Sequence, residues 1–324
     1  MITASLPPFL DIATVRDLLP PAAEVRLVEW DLRGEPGDGV DPADLDVVVS
    51  PFHTTSVTPN PGYVSNDDLS RTLPRATSAR LVQLLSIGAE GVAEHLPAGS
   101  VLSNAVGVME GQTAELACTL LLATLRGLPD FAAASPVWSN KRTPGLLGRH
   151  VVLLGYGGIG KQIERRLAGF DVTITRVANT ARTLDDGTEV FAANRLAELV
   201  RRADALVCSL PLVPGTVGMV DDAVLAALPN GAVVVNVGRG PVVSTHALLA
   251  EVRAGRLSAA LDVTDPEPLP ADHELWMLPN VIITPHVGGN TAVMSELLHQ
   301  LIATQITRVW RGDQPVNVIA EAQP

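Results

Sequence analysis

The sequence predicts an α/β protein of two domains, one a doubly wound parallel sheet and the other a smaller α/β unit, and three observations carry that prediction. Its 324 residues are more than one hydrophobic core comfortably serves and suit two. Hydrophobic residues make up 47% and charged residues 18%, the balance of a globular chain and not of a disordered one. From residue 151 to 285, short β-branched runs alternate with helical patterns, as in a parallel sheet covered on both faces.

Taken in order, the first 104 residues show this alternation more weakly, with EVRLVEW, LDVVVSP, RLVQLLS and SVLSNAV as strand candidates. The polar, glycine-rich stretch RGEPGDGVDPADLD among them reads as a mobile surface connection. Residues 111–128, GQTAELACTLLLATLRGL, have the alanine and leucine content of one long helix, placed to bridge the two domains. VVLLG, VTITRVA, ALVCSLP, AVVVNVG, SAALDVT and VIITP then supply the strands of the larger sheet. Residues 292–312 form a second long helix with Gly312 as its stop, predicted to return to the first domain.

Charge and cysteine usage exclude several function classes. The net charge is -12, and residues 1–104 hold 14 acidic against 6 basic residues, so no basic patch can follow a nucleic-acid backbone. No apolar run approaches the roughly 18 residues of a membrane span. The start MITASLPPFLDIATV lacks a basic region and contains an acid and two prolines, so it does not read as a signal peptide, and a cytoplasmic location is expected. Cys118 and Cys208 lie far apart in apolar contexts without partners at metal-ligand spacing; they read as core thiols, and no metal site is expected.

The strongest local signal is GYGGIG, directly after VVLL and before the helix-like KQIERRLAGF. Gly155 permits a tight turn, Gly157 lets a pyrophosphate approach the backbone, and Gly160 lets the helix pack on the strand, with Tyr156, Gly158 and Ile159 completing the turn. Strand, turn, helix and following strand are all present, which points to a Rossmann-type dinucleotide site. After the second strand, where an acid would accept hydrogen bonds from the ribose of NAD, residues 172–184 contain no carboxylate, and Arg176 and Arg182 are the local cations. Guanidinium groups recognise a 2'-phosphate, so the sequence favours NADP over NAD.

Three polar residues follow three strands of the larger sheet: Arg239 after AVVVNVG, Glu267 after SAALDVT and His286 after VIITP. Ligands of open α/β sheets bind beyond the carboxyl ends of the strands, so these side chains are placed to meet at one rim. An imidazole is suited to exchange a proton near neutral pH, a carboxylate on its far nitrogen would orient it, and an arginine would bind a carboxylate and polarise a carbonyl. Each also has a plain reading, as a cap, a solvated loop residue or a surface charge.

Together the motifs NVGRGPVVSTHALL, ALDVTDPEPLP and NVIITPHVGGNT, in this order after the glycine turn, resemble those of the D-isomer-specific 2-hydroxyacid dehydrogenases. LVQLLSIGAEGV and VLSNAVGVMEGQTAELA extend the resemblance over nearly the whole chain. It implies catalytic roles for Arg239, Glu267 and His286 in hydride transfer between NAD(P) and a small 2-keto or D-2-hydroxy acid. It implies that backbone amides around Ile87 and Gly88 hold the substrate carboxylate and that Asn104 lines the cleft. Asp262 would contact the nicotinamide carboxamide, and Leu210, Pro211 and Thr216 would lie along the cofactor, together with Val237, Gly238 and Gly288. The implied architecture is a flavodoxin-like substrate domain from residues 1–104 plus 288–324, a dinucleotide-binding domain from 105–287, and a homodimer. Two alternatives share the scaffold: a dinucleotide-sensing interaction protein with little turnover, and a phosphite or formate-type dehydrogenase. Formate dehydrogenases of this family resemble the chain at SPFH but carry glutamine where Glu267 stands, which favours an ordinary hydroxyacid.

Substrate selectivity is expected from loops around residues 50–56 and 85–90. His53 reads as a solvated loop residue, and His95, His150, His246, His273 and His299 as surface or capping groups. Trp138, in SPVWSNKRTPG, suits either core packing or an interface.

Overall fold

The structure, a computed structural model, describes residues 1–53, 62–132, 138 and 140–323. The chain divides into two compact units, Met1–Met109 with Ala292–Pro324, and Glu110–Thr291.

The first unit contains β1 (Ile2–Leu6), α1 (Ile12–Leu18), β2 (Val25–Glu29), β3 (Val47–Val49), β4 (Phe52–His53), β5 (Tyr63–Val64), α2 (Asn66–Thr72), β6 (Leu81–Gln83) and β7 (Val101–Ser103). The chain returns to it with α9 (Met294–Arg311) and β16 (Val318–Glu321). Its main sheet has the order β16-β7-β6-β3-β1-β2, parallel except for β16, while β4 and β5 pair separately. One face packs on α9, whose Leu298, Ile302, Ile306 and Val309 recur at helical spacing and join Leu6, Val15 and Leu81 in a core. Gly312 ends α9 in the left-handed region (φ 79°), which glycine enters without a Cβ penalty. The opposite face, with Val28, Val48 and Leu102, is covered by Leu69 and Leu73.

The second unit contains α3 (Glu110–Leu125), α4 (Leu128–Ala132), β8 (His150–Leu154), α5 (Gly158–Leu167), β9 (Thr173–Ala178), β10 (Arg182–Thr183), β11 (Glu189–Ala192), α6 (Leu196–Leu199) and β12 (Ala205–Cys208). It continues through α7 (Asp222–Ala227), β13 (Val233–Asn236), α8 (Thr245–Arg253), β14 (Ser258–Leu261) and β15 (Val281–Ile283). Its eight strands run β10-β11-β9-β8-β12-β13-β14-β15, parallel except for the β10-β11 pair. Alternate residues of β8 enter opposite cores, Val152 and Leu154 on one face, Val151 and Leu153 on the other with α3 and α5. A strand buried on both faces must be apolar throughout, which is why these strands read as unbroken runs. The chain order reverses between β9-β8 and β12, so a crevice opens there at the strands' carboxyl ends.

Several elements differ from the sequence expectations. β1, an interior strand between β3 and β2, was not among the strand candidates, nor were β10, β11 and β16. RGEPGDGVDPADLD holds two short 3-10 turns, Gly37–Gly39 and Pro42–Asp44, the second capped by the Asp41 carboxylate accepting from the Ala43 amide at 2.9 Å. Helix α3 stops at Leu125, before Gly127, whose φ of 61° is left-handed. His299 is buried, not on the surface, and its Nε2 accepts from the Asp11 amide at 3.1 Å. Trp138 lies in no core, being 99% exposed, and its neighbours 133–137 and 139 lie outside the described residues, as do residues 54–56 of the expected selectivity loop at 50–56. Both thiols are buried, and burial pushes Cys118 up to about 11 and Cys208 to about 12. Among the described residues, no helix is long and apolar enough to cross a membrane.

Candidate active site

At the β8-α5 turn, the glycine positions take three different physical roles. Gly155 has φ 104°, which side chains rarely adopt. A Cβ on Gly160 would collide with the Gly155 carbonyl, so α5 can start this close to β8 only without one. At Gly157, by contrast, nothing lies within 4 Å of where a Cβ would stand, leaving open space before the first turn of α5. Such a cradle fits a pyrophosphate, whose charge the helix amides would meet.

Beside this turn is a cleft of about 350 Å³ lined by Gly155, Tyr156, Gly157, Leu210 and Pro211, together with Ala178, Asn179, Thr180, Arg182 and Ser209. Arg182 donates to the Tyr156 carbonyl at 2.9 Å, and the Ser209 hydroxyl donates to the Gly155 carbonyl at 2.9 Å. Thr216 holds the loop after β12, donating to the Pro211 carbonyl (2.7 Å) and accepting from the Val213 amide (2.9 Å).

Arg176 does not line this cleft. Mid-strand on β9, it faces α5, where its Nε donates to Glu164 at 2.9 Å and a second nitrogen pairs with the same carboxylate. The Tyr156 hydroxyl donates to Glu164 as well, and the guanidinium lies 5.7 Å from the Tyr156 ring centroid. Burial works against the Glu164 charge, but the bonds from Arg176 and Tyr156 outweigh it and hold the carboxyl below its usual range. Burial, then the Glu164 bond, pushes the Tyr156 phenol up.

The three strand-end residues lie on neighbouring loops of the same unit. His286 has φ 52°, a left-handed conformation costing a side chain about 1–2 kcal/mol. Asp262, 2% exposed, fastens this turn: its carbonyl accepts from the His286 amide (2.8 Å), and its carboxylate from Thr284 Oγ1 (2.6 Å), the Val287 amide (2.9 Å) and the Gly288 amide (2.9 Å). Thus Asp262, expected at the nicotinamide, organises the histidine loop. Gly288 is buried against that carboxylate and Thr113. His286 Nδ1 lies 2.6 Å from Glu267 Oε1, both side chains being nearly half exposed. Arg239 follows β13, half-buried, with Nη1 donating to the Gly238 carbonyl at 2.9 Å, while Val237 and Gly238 are buried.

In the first unit, the Asn104 side chain, 5% exposed, donates to the Ile87 carbonyl at 2.9 Å, and the Ser86 hydroxyl donates to the Gly88 carbonyl at 2.7 Å. Sequence reasoning missed Ser209, Glu164, Thr284 and Asn236. Ser209, Asn236 and Thr284 each carry a visible signal, as polar residues closing apolar strand runs, whereas Glu164 in the helix pattern carries none.

Comparison with known proteins gives the family. A family model described as D-isomer specific 2-hydroxyacid dehydrogenase, NAD binding domain, matches residues 118–288. The glyoxylate reductase/hydroxypyruvate reductase of Mus musculus is 33% identical over 247 residues, 72% of this chain and 75% of that one. The glyoxylate reductase of Pyrococcus furiosus is 30% identical over 259 residues, 75% and 76% of the two chains. Among solved structures, an NADPH-dependent glyoxylate/hydroxypyruvate reductase from Sinorhizobium meliloti, in complex with NADP and malonate, superposes with a TM-score of 0.74 at 26% identity, covering 98% of this chain and 97% of that one. With the glycine cradle, the doubly wound sheet and these matches in agreement, the chain belongs to the D-isomer specific 2-hydroxyacid dehydrogenase family and is an NAD(P)-dependent oxidoreductase.

Proposed function

We propose that the protein reduces a small 2-keto acid to its D-2-hydroxy acid, with NADPH preferred to NADH, and runs the reverse oxidation with the same groups. The observation that carries this reading is the 2.6 Å pair of His286 Nδ1 and Glu267 Oε1 on the loops after adjacent strands β15 and β14. A ring so held keeps its proton on Nδ1 beside the carboxylate and commits Nε2 to proton exchange with the substrate oxygen. When bound, the nicotinamide supplies the hydride. His286 gives the proton in reduction and takes it in oxidation, Glu267 orients the ring, and Arg239 binds the carboxylate and stabilises charge on the reacting oxygen. Ile87 and Gly88 amides, in the first unit, are the further carboxylate ligands of this proposal. The direct test follows nicotinamide absorbance with glyoxylate, hydroxypyruvate and pyruvate, each with NADPH and NADH. Cofactor binding without turnover on any of them would move the reading to a sensor.

Replacing Glu267 with glutamine is expected to lower kcat at least about tenfold with NADPH affinity retained, because the amide keeps the shape of the pair and loses its charge. An unaltered kcat would remove the pairing from the mechanism.

For the cofactor preference, the position of Arg182 on the cleft makes it the 2'-phosphate reader in this proposal, since Glu164 already engages Arg176. Arg182→Ala is therefore expected to raise the KM for NADPH by about 10- to 100-fold, the worth of a charge-assisted hydrogen bond, and to leave that for NADH in place. Equal losses with both cofactors would refute the assignment. A homodimer completes the reading. The exposed indole of Trp138 suits an interface anchor, and light scattering in solution checks the mass.

A further inference from the structure

We propose that Asn236 is a positioning residue for substrate recognition, acting through Arg239; this rests on the reading of Arg239 as the group that binds the substrate carboxylate. Asn236 is the last residue of β13 and is 1% exposed. Its amide spans the two residues of the turn that follows: Oδ1 accepts from the Gly238 N–H at 3.1 Å, and Nδ2 donates to the Arg239 carbonyl at 3.0 Å. Arg239 in turn donates from Nη1 to the Gly238 carbonyl at 2.9 Å. The residue whose carbonyl meets the guanidinium, Gly238, is therefore the one whose N–H Asn236 holds, and the other arm of Asn236 holds the carbonyl of Arg239 itself.

The chemistry required at this position is narrow. The bracket needs one donor and one acceptor on a short planar group. Aspartate can accept from Gly238 but cannot donate to Arg239, and leucine can do neither, leaving polar backbone groups without partners inside a buried turn. The turn has no room to compensate by sliding, because the Gly238 Cα abuts the Leu210 backbone and that of Gly240 abuts the Thr264 carbonyl. With both flanks fixed, the Asn236 amide sets the conformation of Arg239, which sits in extended backbone at φ -140° and ψ 140°. A side chain chosen only to fill the core would place no polar group here, since β13 is otherwise three buried valines.

The test is a double-mutant cycle read by oxalate, an unreactive two-carboxylate probe, titrated calorimetrically into the NADPH-saturated protein. Wild type, Asn236→Ala, Arg239→Ala and the double variant are compared, with NADPH affinity measured for each. Asn236→Ala is expected to weaken oxalate about tenfold, Arg239→Ala by at least as much, and the double variant no further than Arg239→Ala alone, with NADPH affinity unchanged throughout. Multiplying penalties in the double variant, or loss of NADPH affinity in step with oxalate, would overturn the proposal, because each marks a general structural role. Oxalate binding untouched by Arg239→Ala would instead bring down the reading of Arg239 and this inference with it. If the alanine variant does not fold, Asn236→Asp, which keeps the volume and the Gly238 acceptor, carries the same cycle with the same expected non-additivity.

Discussion

Replacing His286 with alanine is expected to lower kcat by about 10²- to 10⁴-fold, the usual worth of a positioned general acid, while NADPH affinity and the melting temperature stay near wild type. The loss is confined to chemistry because the imidazole is one half of a pair with Glu267 and the loop does not depend on the ring. What fastens the loop is Asp262, through the backbone amides of residues 286, 287 and 288 and the Thr284 hydroxyl, and all four bonds survive the substitution. The left-handed φ of 52° costs alanine about what it costs histidine, so the change introduces no new backbone strain. Stopped-flow turnover with NADPH, beside fluorescence titration of the cofactor, separates the two effects. An undiminished kcat would remove His286 from the proton step, whereas a parallel fall in cofactor affinity would mean that the loop had collapsed.

This separation between the ring and its support also explains how far the sequence can be read. Polar side chains at strand ends stand out against unbroken apolar runs, so Arg239, Glu267 and His286 are legible as candidates once the runs are assigned to a parallel sheet. The pairing of Glu267 with His286 follows from the adjacency of β14 and β15, a relation between neighbours in space and close in sequence. The same reasoning applied to β9 counts cations and ignores direction, and so puts Arg176 at the cofactor. Mid-strand, its side chain turns to α5, where Glu164, 12 positions earlier, engages it. A period-two pattern gives the face of the sheet, but not which charged residue of the covering helix waits there.

The small unit was less legible for a related reason. In β1, Ile2–Leu6, threonine, alanine and serine dilute the apolar signal, yet Ala4, Ser5 and Leu6 are all fully buried, on a strand paired on both sides by β3 and β2. Ala4 and Leu6 share a core with α9 while Ser5 points to the opposite face, and small or polar residues on a strand buried on both sides do not announce it. β16 was hidden by its position, since an edge strand whose residues are mostly exposed carries little periodicity.

A last expected result bears on the site's rigidity: Gly240→Ala should destabilise the protein by roughly 3 kcal/mol or more and cost most of its turnover. The methyl would fall inside the Thr264 carbonyl group and against the Asp265 amide nitrogen. A flexible side chain could swing aside, but a backbone carbonyl can move only by shifting the segment that leads to Glu267. On that segment, Thr264 Oγ1 donates to the Pro266 carbonyl at 2.9 Å and Thr245 Oγ1 to the Asp265 carbonyl at 2.8 Å, so it resists as a unit. Gly240 also follows Arg239 directly, and relief in the other direction would displace that residue. The substitution thus drives the arginine turn and the glutamate loop apart, whichever gives way, and the KM for the keto acid should rise as kcat falls. Gly169→Ala serves as the control, because nothing lies within 4 Å of a Cβ there and its stability change should stay within about 0.5 kcal/mol. Denaturant melts of the two variants decide the matter: similar midpoints, with turnover retained in Gly240→Ala, would mean that the contact between the two loops is slack and that Arg239 and Glu267 are positioned independently.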